Sequence, residues 1–200
     1  MSQSIEIELK NILTKQEFNK LIKFFQFNDE NFFTQENHYF DTKDFALKKA
    51  GCALRIRRKN NRYELTLKQP YGDGLLETNE YLTDEMAENM FQTGKTMVES
   101  IRNLIEGMKI DPNLMQYFGS LTTNRAETAY KNGLIVLDHS YYLNKEDFEI
   151  EYEVSNREKG LEVFSELLLH LDIPIRKTDN KIMRFYNEKY NQQARFKKEN

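Results

Sequence analysis

Residues 5–10 read Ile-Glu-Ile-Glu-Leu-Lys. On an extended strand, successive side chains point to opposite faces. Glu6, Glu8 and Lys10 therefore share one face, and Ile5, Ile7 and Leu9 the other. The same division recurs along the chain. Arg55 and Arg57 lie opposite Leu54 and Ile56, and Glu64, Thr66 and Lys68 lie opposite Tyr63, Leu65 and Leu67. Arg125 shares a face with Glu127, and Asp138 and Val136 lie opposite Ile135 and Leu137. Glu149, Glu151 and Glu153 lie opposite Phe148, Ile150 and Tyr152. A sheet face turned to water mixes Thr, Ser, Gln and Lys. These faces instead carry runs of carboxylates in some strands and paired arginines in others.

The apolar faces must be covered, and the intervening segments supply amphipathic helices. Thr14 and Glu17 form a capping-box pattern ahead of Phe18, Leu21, Ile22 and Phe25. Residues 31–41 read as extended, and Gly51 ends a short helical connection. A hairpin follows, turning at Asn60-Asn61. Pro70, Gly72 and Gly74 mark a loop before the strand-like LLETNEYLT. Residues 83–118 change to helical character. Thr96 and Glu99 suggest a second capping box there, Ile101, Leu104 and Ile105 a packed face, and Pro112 a further helix start. The second half begins with SLTTNRAETAY, turns at Lys131-Asn132-Gly133, and continues through GLIVLDHS and KEDFEIEYEVS. Ser155 and Glu158 introduce a helix with Leu161, Phe164, Leu168 and Leu171 inward. A last helix carries Lys181 to Tyr190. Residues 1–190 read as one domain and 191–200 as a polar, frayed tail whose Arg195-Phe-Lys-Lys is solvated.

That gives about eight strands without βαβ alternation, so the fold expected is α+β, mainly β. If the helices cover the outside of a curved antiparallel sheet, about eight strands suffice to close a barrel with the charged faces inside. Packed like charges are costly unless cations and anions neutralise them. Glu6 and Glu8 could meet at one divalent cation, and Lys10 could reach an anion held by it. Hard oxygen ligands suit Mg²⁺ or Mn²⁺, and Lys and Arg suit phosphate oxygens. The outline is that of a polyphosphate–metal site.

Composition narrows the classes. A net charge of −3 leaves no basic footprint for nucleic acid. The single cysteine, Cys52, reads as a buried thiol, and no segment reads as a signal peptide or membrane span. A reducing cytoplasm fits. His38, His139 and His170 lack ligand spacing and read as hydrogen-bonded or surface groups. Phe24, Phe25, Phe32 and Phe33 read as core.

With these residues in view, the chain resembles the CYTH superfamily, the triphosphate tunnel metalloenzymes, and within it the bacterial YjbK-like group. The ExExK signature is Glu6–Lys10. YFDT at Tyr39–Thr42, G-x-x-L-R-I-R at Gly51–Arg57, LTLK at Leu65–Lys68, Arg125, Leu137-Asp138, Glu149–Glu151 and the K-x-x-R of Lys181–Arg184 follow in family order across roughly residues 4–188. The resemblance implies a closed eight-stranded antiparallel barrel, a triphosphate tunnel, with helices packed outside. By position it implies Glu6, Glu8, Asp138, Glu149 and Glu151 as metal ligands. Lys10, Arg55, Arg57, Lys68, Arg125 and Lys181 would grip phosphate. Lys10 and Tyr39 are the catalytic candidates, with packing the alternative for Tyr39, and Arg184 has a secondary role. The family also has an acidic residue on the fifth strand. Glu80 is the choice and Glu77, on the opposite face, the rival. Glu127 and Glu153 pair structurally or point inward.

The activity so implied is Mg²⁺- or Mn²⁺-dependent hydrolysis of a small-molecule triphosphate, with inorganic triphosphate first and thiamine triphosphate or a nucleoside triphosphate behind it. The alternatives are a class IV-type adenylate cyclase and a non-catalytic polyphosphate-binding module.

Overall fold

A computed structural model describes residues 1–59 and 61–199, with the side chains of all but Lys59 and residues 193–199. Eight antiparallel strands close into a barrel: β1 (Ser2–Leu13), β2 (Phe33–Thr42), β3 (Ala53–Lys59), β4 (Arg62–Tyr71), β5 (Gly74–Leu82), β6 (Met115–Tyr130), β7 (Gly133–Tyr142) and β8 (Lys145–Val154). Their order around it is β1-β5-β4-β3-β2-β6-β7-β8. The expected fold class therefore holds. The helices are α1 (Lys15–Phe25), the short α2 (Ala46–Lys49), α3 (Asp84–Thr93), α4 (Glu99–Gly107), α5 (Arg157–His170) and α6 (Lys181–Glu199). Two compact units share these elements: residues 1–7 with 35–120, and residues 8–34 with the chain from Leu121 onward.

In the first unit the register fixes the two faces. Arg55 stands opposite Thr66, which stands opposite Asn79, while Ile56 stands opposite Leu65, which stands opposite Glu80. The Ile56 row is the covered one. Leu54, Ile56, Leu65 and Leu67 pack with Ala87 and Met90 of α3 and Ile101 and Ile105 of α4, all buried. Each Leu, Ile or Met among them contributes on the order of 1.5–3 kcal/mol through burial. Cys52 joins this core as expected of it. The helical insert differs in detail from the expectation. Thr96 accepts from the Val98 amide without capping a box, Pro112 opens only a 3₁₀ turn, and β6 starts at Met115. Of the predicted Asn60-Asn61 turn, Asn61 is left-handed (φ 59°), and Asn60 lies outside the described residues.

In the second unit Leu9, Leu137 and Ile150 present the apolar face, and α1 and α5 cover it with Phe18, Leu21, Phe164 and Leu168. The capping box at Thr14 and Glu17 forms as the sequence predicts, with Glu17 Oε2 accepting from the Thr14 amide at 2.7 Å. The α5 register is corrected. Asn156 is the N-cap, and the buried line runs through Gly160, Phe164, Leu167 and Leu168, leaving Leu161 exposed. Gly160 sets this register, because a Cβ there would meet Val154 Cγ2 at 2.7 Å. Phe24 and Phe33 are exposed rather than core; Phe24 stacks edge-on against Phe25 on the outer side of α1. The last helix runs to Glu199, past the expected end at Tyr190. The side chains of Arg195-Phe-Lys-Lys lie outside the described residues. Among the described residues no helix is long and apolar enough to cross a membrane.

Candidate functional site

The charged faces of the strands gather into a cluster in each unit. In the first, Lys68 is central. Its ammonium donates to Glu6 Oε2 at 2.6 Å and pairs with Glu77. Gly74 makes this approach possible: a Cβ there would lie 2.3 Å from the Glu6 carbonyl oxygen, so only glycine lets the β4–β5 turn lie against β1 at Glu6. Burial disfavours the charged form of Glu77, but Lys68 and Arg55 outweigh it and hold the carboxyl down at about 2.

Glu80 does not belong to this cluster, and the choice of Glu80 over Glu77 is corrected. The register places Glu77 opposite Lys68 and Glu80 opposite Leu65. Glu80 therefore lies on the helix-covered face, where it accepts from Ser100 Oγ of α4 at 2.8 Å and pairs with the Met1 amine at 2.9 Å.

Arg57 donates from Nε to Asn37 Oδ1 at 2.8 Å. Arg55 is 8% exposed, and its Nε is buried without a hydrogen-bond partner. Buried donors are normally satisfied, so an orphaned guanidinium nitrogen on the charged face is an opening for an anion. Tyr39 is buried and stands opposite Arg55 across β2 and β3.

The second unit carries the denser cluster. Across β6, β7 and β8 the register aligns Arg125, Asp138 and Glu149 in one row, with Glu151 two residues on. Arg125 forks onto Asp138, with Nε to Oδ1 at 2.7 Å and Nη2 to Oδ2 at 2.6 Å, and reaches Glu151 Oε2 at 3.0 Å. From the first residue of α6, Lys181 reaches all three carboxylates. Its Nζ lies 2.7 Å from Asp138 Oδ2 and 2.5 Å from Glu149 Oε1, and it pairs with Glu151. Each carboxylate offers an oxygen within 4.8 Å of the others, and all three are buried. Lys10 pairs with Glu8 on β1.

The electrostatics follow from crowding. Burial pushes the Glu149 carboxyl up to about 7 despite Lys181 beside it. Burial acts on Glu151 as well, but Lys181, Arg125 and Lys10 outweigh it and hold that group well below the usual carboxylate range. Burial also opposes the charge on Lys181, and Asp138, Glu149 and Glu151 more than restore it.

One contributor to the cluster, Asp147, escaped the sequence reading. Asp147 lies on the same face of β8 as Glu149 and Glu151. It accepts from Arg184 Nε at 2.9 Å and Nη2 at 3.2 Å, and from the Tyr142 hydroxyl at 2.7 Å. Arg184 donates onward to Glu149 Oε2 at 2.5 Å. The alternation Asp147-Phe148-Glu149-Ile150-Glu151 carried the signal for Asp147. Glu127, at 3.7 Å from Arg125, pairs structurally. The histidines are ordinary: His38 meets the Tyr117 hydroxyl at 3.2 Å, His139 meets Glu146 at 2.7 Å, and His170 is exposed.

The chain matches the model of the CYTH domain family over residues 4–186. It belongs to the CYTH domain family. A Bacillus subtilis (strain 168) member, named putative triphosphatase YjbK, is 51% identical over 190 residues, covering 94% of this chain and 98% of that one. Of solved CYTH-like structures, one described as a putative adenylate cyclase from Bacillus halodurans is 39% identical, with a TM-score of 0.88 over 93% of this chain and all of that one. A Hippeastrum protein, described as a putative adenylyl cyclase with a dominant triphosphatase activity, shares the fold at 20% identity. Its TM-score is 0.73 over 92% of this chain and 95% of that one. The ExExK, L-R-I-R and E-x-E segments of this CYTH chain supply the two charged clusters.

Proposed function

We propose that this CYTH protein is a divalent-metal-dependent triphosphatase, with inorganic triphosphate as its leading substrate. The observation that carries the reading is the Asp138–Glu149–Glu151 triad, three buried carboxylates with converging oxygens among Arg125 and Lys181. The donor set fits Mg²⁺ or Mn²⁺, which take hard oxygen ligands. Asp138, Glu149 and Glu151 would hold the ion, with Glu6, Glu8 and Glu77 as further acidic candidates. A bound ion would offset phosphoryl charge and lower the barrier to attack by water.

The chain's own cations do the rest. Arg125, Lys181 and Lys10 would bind phosphoryl oxygens and stabilise charge as it shifts toward the leaving oxygen. Arg55, Arg57 and Lys68 would bind phosphate oxygens as well; the orphaned Nε of Arg55 is the support for this assignment. Tyr39 is retained as a candidate for contact with substrate because it stands opposite Arg55. The name of the 51%-identical relative agrees with hydrolysis.

The test supplies inorganic triphosphate, thiamine triphosphate and ATP separately with Mg²⁺ or Mn²⁺ and follows products by phosphorus NMR. Phosphate plus diphosphate from inorganic triphosphate is expected to outpace any reaction of ATP. Cyclic AMP and pyrophosphate from ATP, with inorganic triphosphate untouched, would transfer the assignment to a cyclase, as the name of the 39%-identical structure has it. Tight binding without turnover would leave a polyphosphate-binding module.

A further inference from the structure

The second-unit cluster is already partly neutralised by its own side chains. Lys181 places one ammonium against Asp138, Glu149 and Glu151, and Arg125 covers Asp138 and Glu151. A divalent cation and this ammonium need the same oxygens. Both cannot hold all three carboxylates, because each carboxylate oxygen aimed at Lys181 is one turned away from an ion.

Building on the metal-dependent reading above, we infer that Lys181 is a built-in counter-ion competing with the divalent cation, so that metal and polyphosphate each assist the binding of the other. The cation alone must expel the ammonium from three charge-assisted contacts. Phosphate oxygens offer that ammonium an alternative partner, and its departure leaves the carboxylates to the metal. The coupling is reciprocal by linkage. The fold allows the movement. Lysine is a point charge on a flexible four-carbon stem, so its head can shift without moving the helix. The first turn of α6 has a separate anchor. Arg184 forks onto Asp147 and donates to the Asp179 carbonyl at 2.6 Å, and Asn180 Oδ1 caps the Met183 amide at 2.9 Å.

The experiment measures Mn²⁺ binding to the full chain by the loss of the free-ion electron paramagnetic resonance signal, with no substrate present. Lys181→Gln should bind Mn²⁺ alone about tenfold more tightly than wild type. Lys20→Gln, which removes a lysine that donates to the Leu171 carbonyl on the outer side, should not change it. Circular dichroism establishes that each variant is folded. Equal Mn²⁺ affinity in wild type and folded Lys181→Gln overturns the inference.

A second arm uses wild type alone and covers misfolding of the variant. In it Mn²⁺ is titrated in the presence of imidotriphosphate, a triphosphate analogue with nitrogen bridges, and the Mn²⁺–analogue complex formed without protein is subtracted. Binding at least about tenfold tighter than with Mn²⁺ alone is expected, and independent binding of the two overturns the inference. Neither arm reads turnover. Phosphate release without coupling would sink this inference and spare the triphosphatase, and coupling without phosphate release would do the reverse.

Discussion

Substituting Glu77 and Glu80 separately tests the barrel register and the site together. Glu77 shares Lys68 with Glu6, and its carboxyl is held at about 2 against an ordinary 4.5. That difference corresponds to about 3 kcal/mol of preference for the charged form in the folded chain. Glutamine keeps an acceptor and Glu6 keeps its hold on Lys68, so Glu77→Gln should cost about 2 kcal/mol at pH 7. Because the folded value is depressed, this stability is present above pH 4.5 and disappears as pH falls toward 2. The difference between wild type and Glu77→Gln in urea unfolding should therefore narrow steadily from pH 5 to pH 2.5. The Glu80 carboxylate accepts from Ser100 and pairs with the Met1 amine. Glu80→Gln should change stability at pH 7 by less than about 1 kcal/mol and leave phosphate release intact, whereas Glu77→Gln should lower it. A loss of turnover on Glu80→Gln with none on Glu77→Gln would refute the register argument.

Three further outcomes follow from the same geometry. Arg55→Gln should weaken triphosphate affinity about tenfold in calorimetry, since a charge-assisted contact is worth on the order of 1.5–3 kcal/mol, while Mn²⁺ affinity holds. Glu17 is depressed chiefly by its hydrogen bonds from Arg176, at 2.8 Å on each oxygen, so Glu17→Gln should lower stability by about 1 kcal/mol above pH 5 with no effect on turnover; this difference should fade in acid. Glu149, pushed up to about 7, must lose its proton to hold a metal, so the rise in melting temperature given by Mn²⁺ should grow from pH 6 to pH 8 in a thermal scan.

Much of this was legible because the strands obey a period of two. Leu54 and Ile56 fall on the covered face of β3 and Arg55 on the other, as the alternation requires. The failure at β5 has the same origin. Its covered face carries Thr78 and Glu80 along with Leu76 and Leu82, so polarity alone does not separate Glu77 from Glu80. Only the pairing of Glu77 with Lys68 does, and pairing is a tertiary fact. The α5 error is similar. Leucines occur on several sides of that helix, and the contact of Gly160 with Val154 selects which side is buried. Phe24 and Phe33 misled because large aromatic residues are read as core by default, and a surface tolerates some of them. The resemblance marked Lys181 as a phosphate ligand, but not that its head would lie among three carboxylates. That depends on where a helix some thirty residues beyond β8 begins.

The self-pairing of the second-unit cluster resolves a conflict that the sequence sets up. Carboxylates on adjacent strands are costly to bury, and a chain that needed metal to offset them could not fold before meeting metal. Here Arg125 and Lys181 do the offsetting from within the chain. Arg125 is suited to permanence, since its planar fork grips Asp138 with two bonds. Lys181 is suited to exchange, since a single ammonium on a long stem forms point contacts that another cation can replace. Folding needs both cations against the carboxylates, whereas the metal-dependent hydrolysis proposed above would need one of them to leave. The division between a forked arginine on a strand and a lysine at the start of a helix meets both demands with the same set of carboxylates.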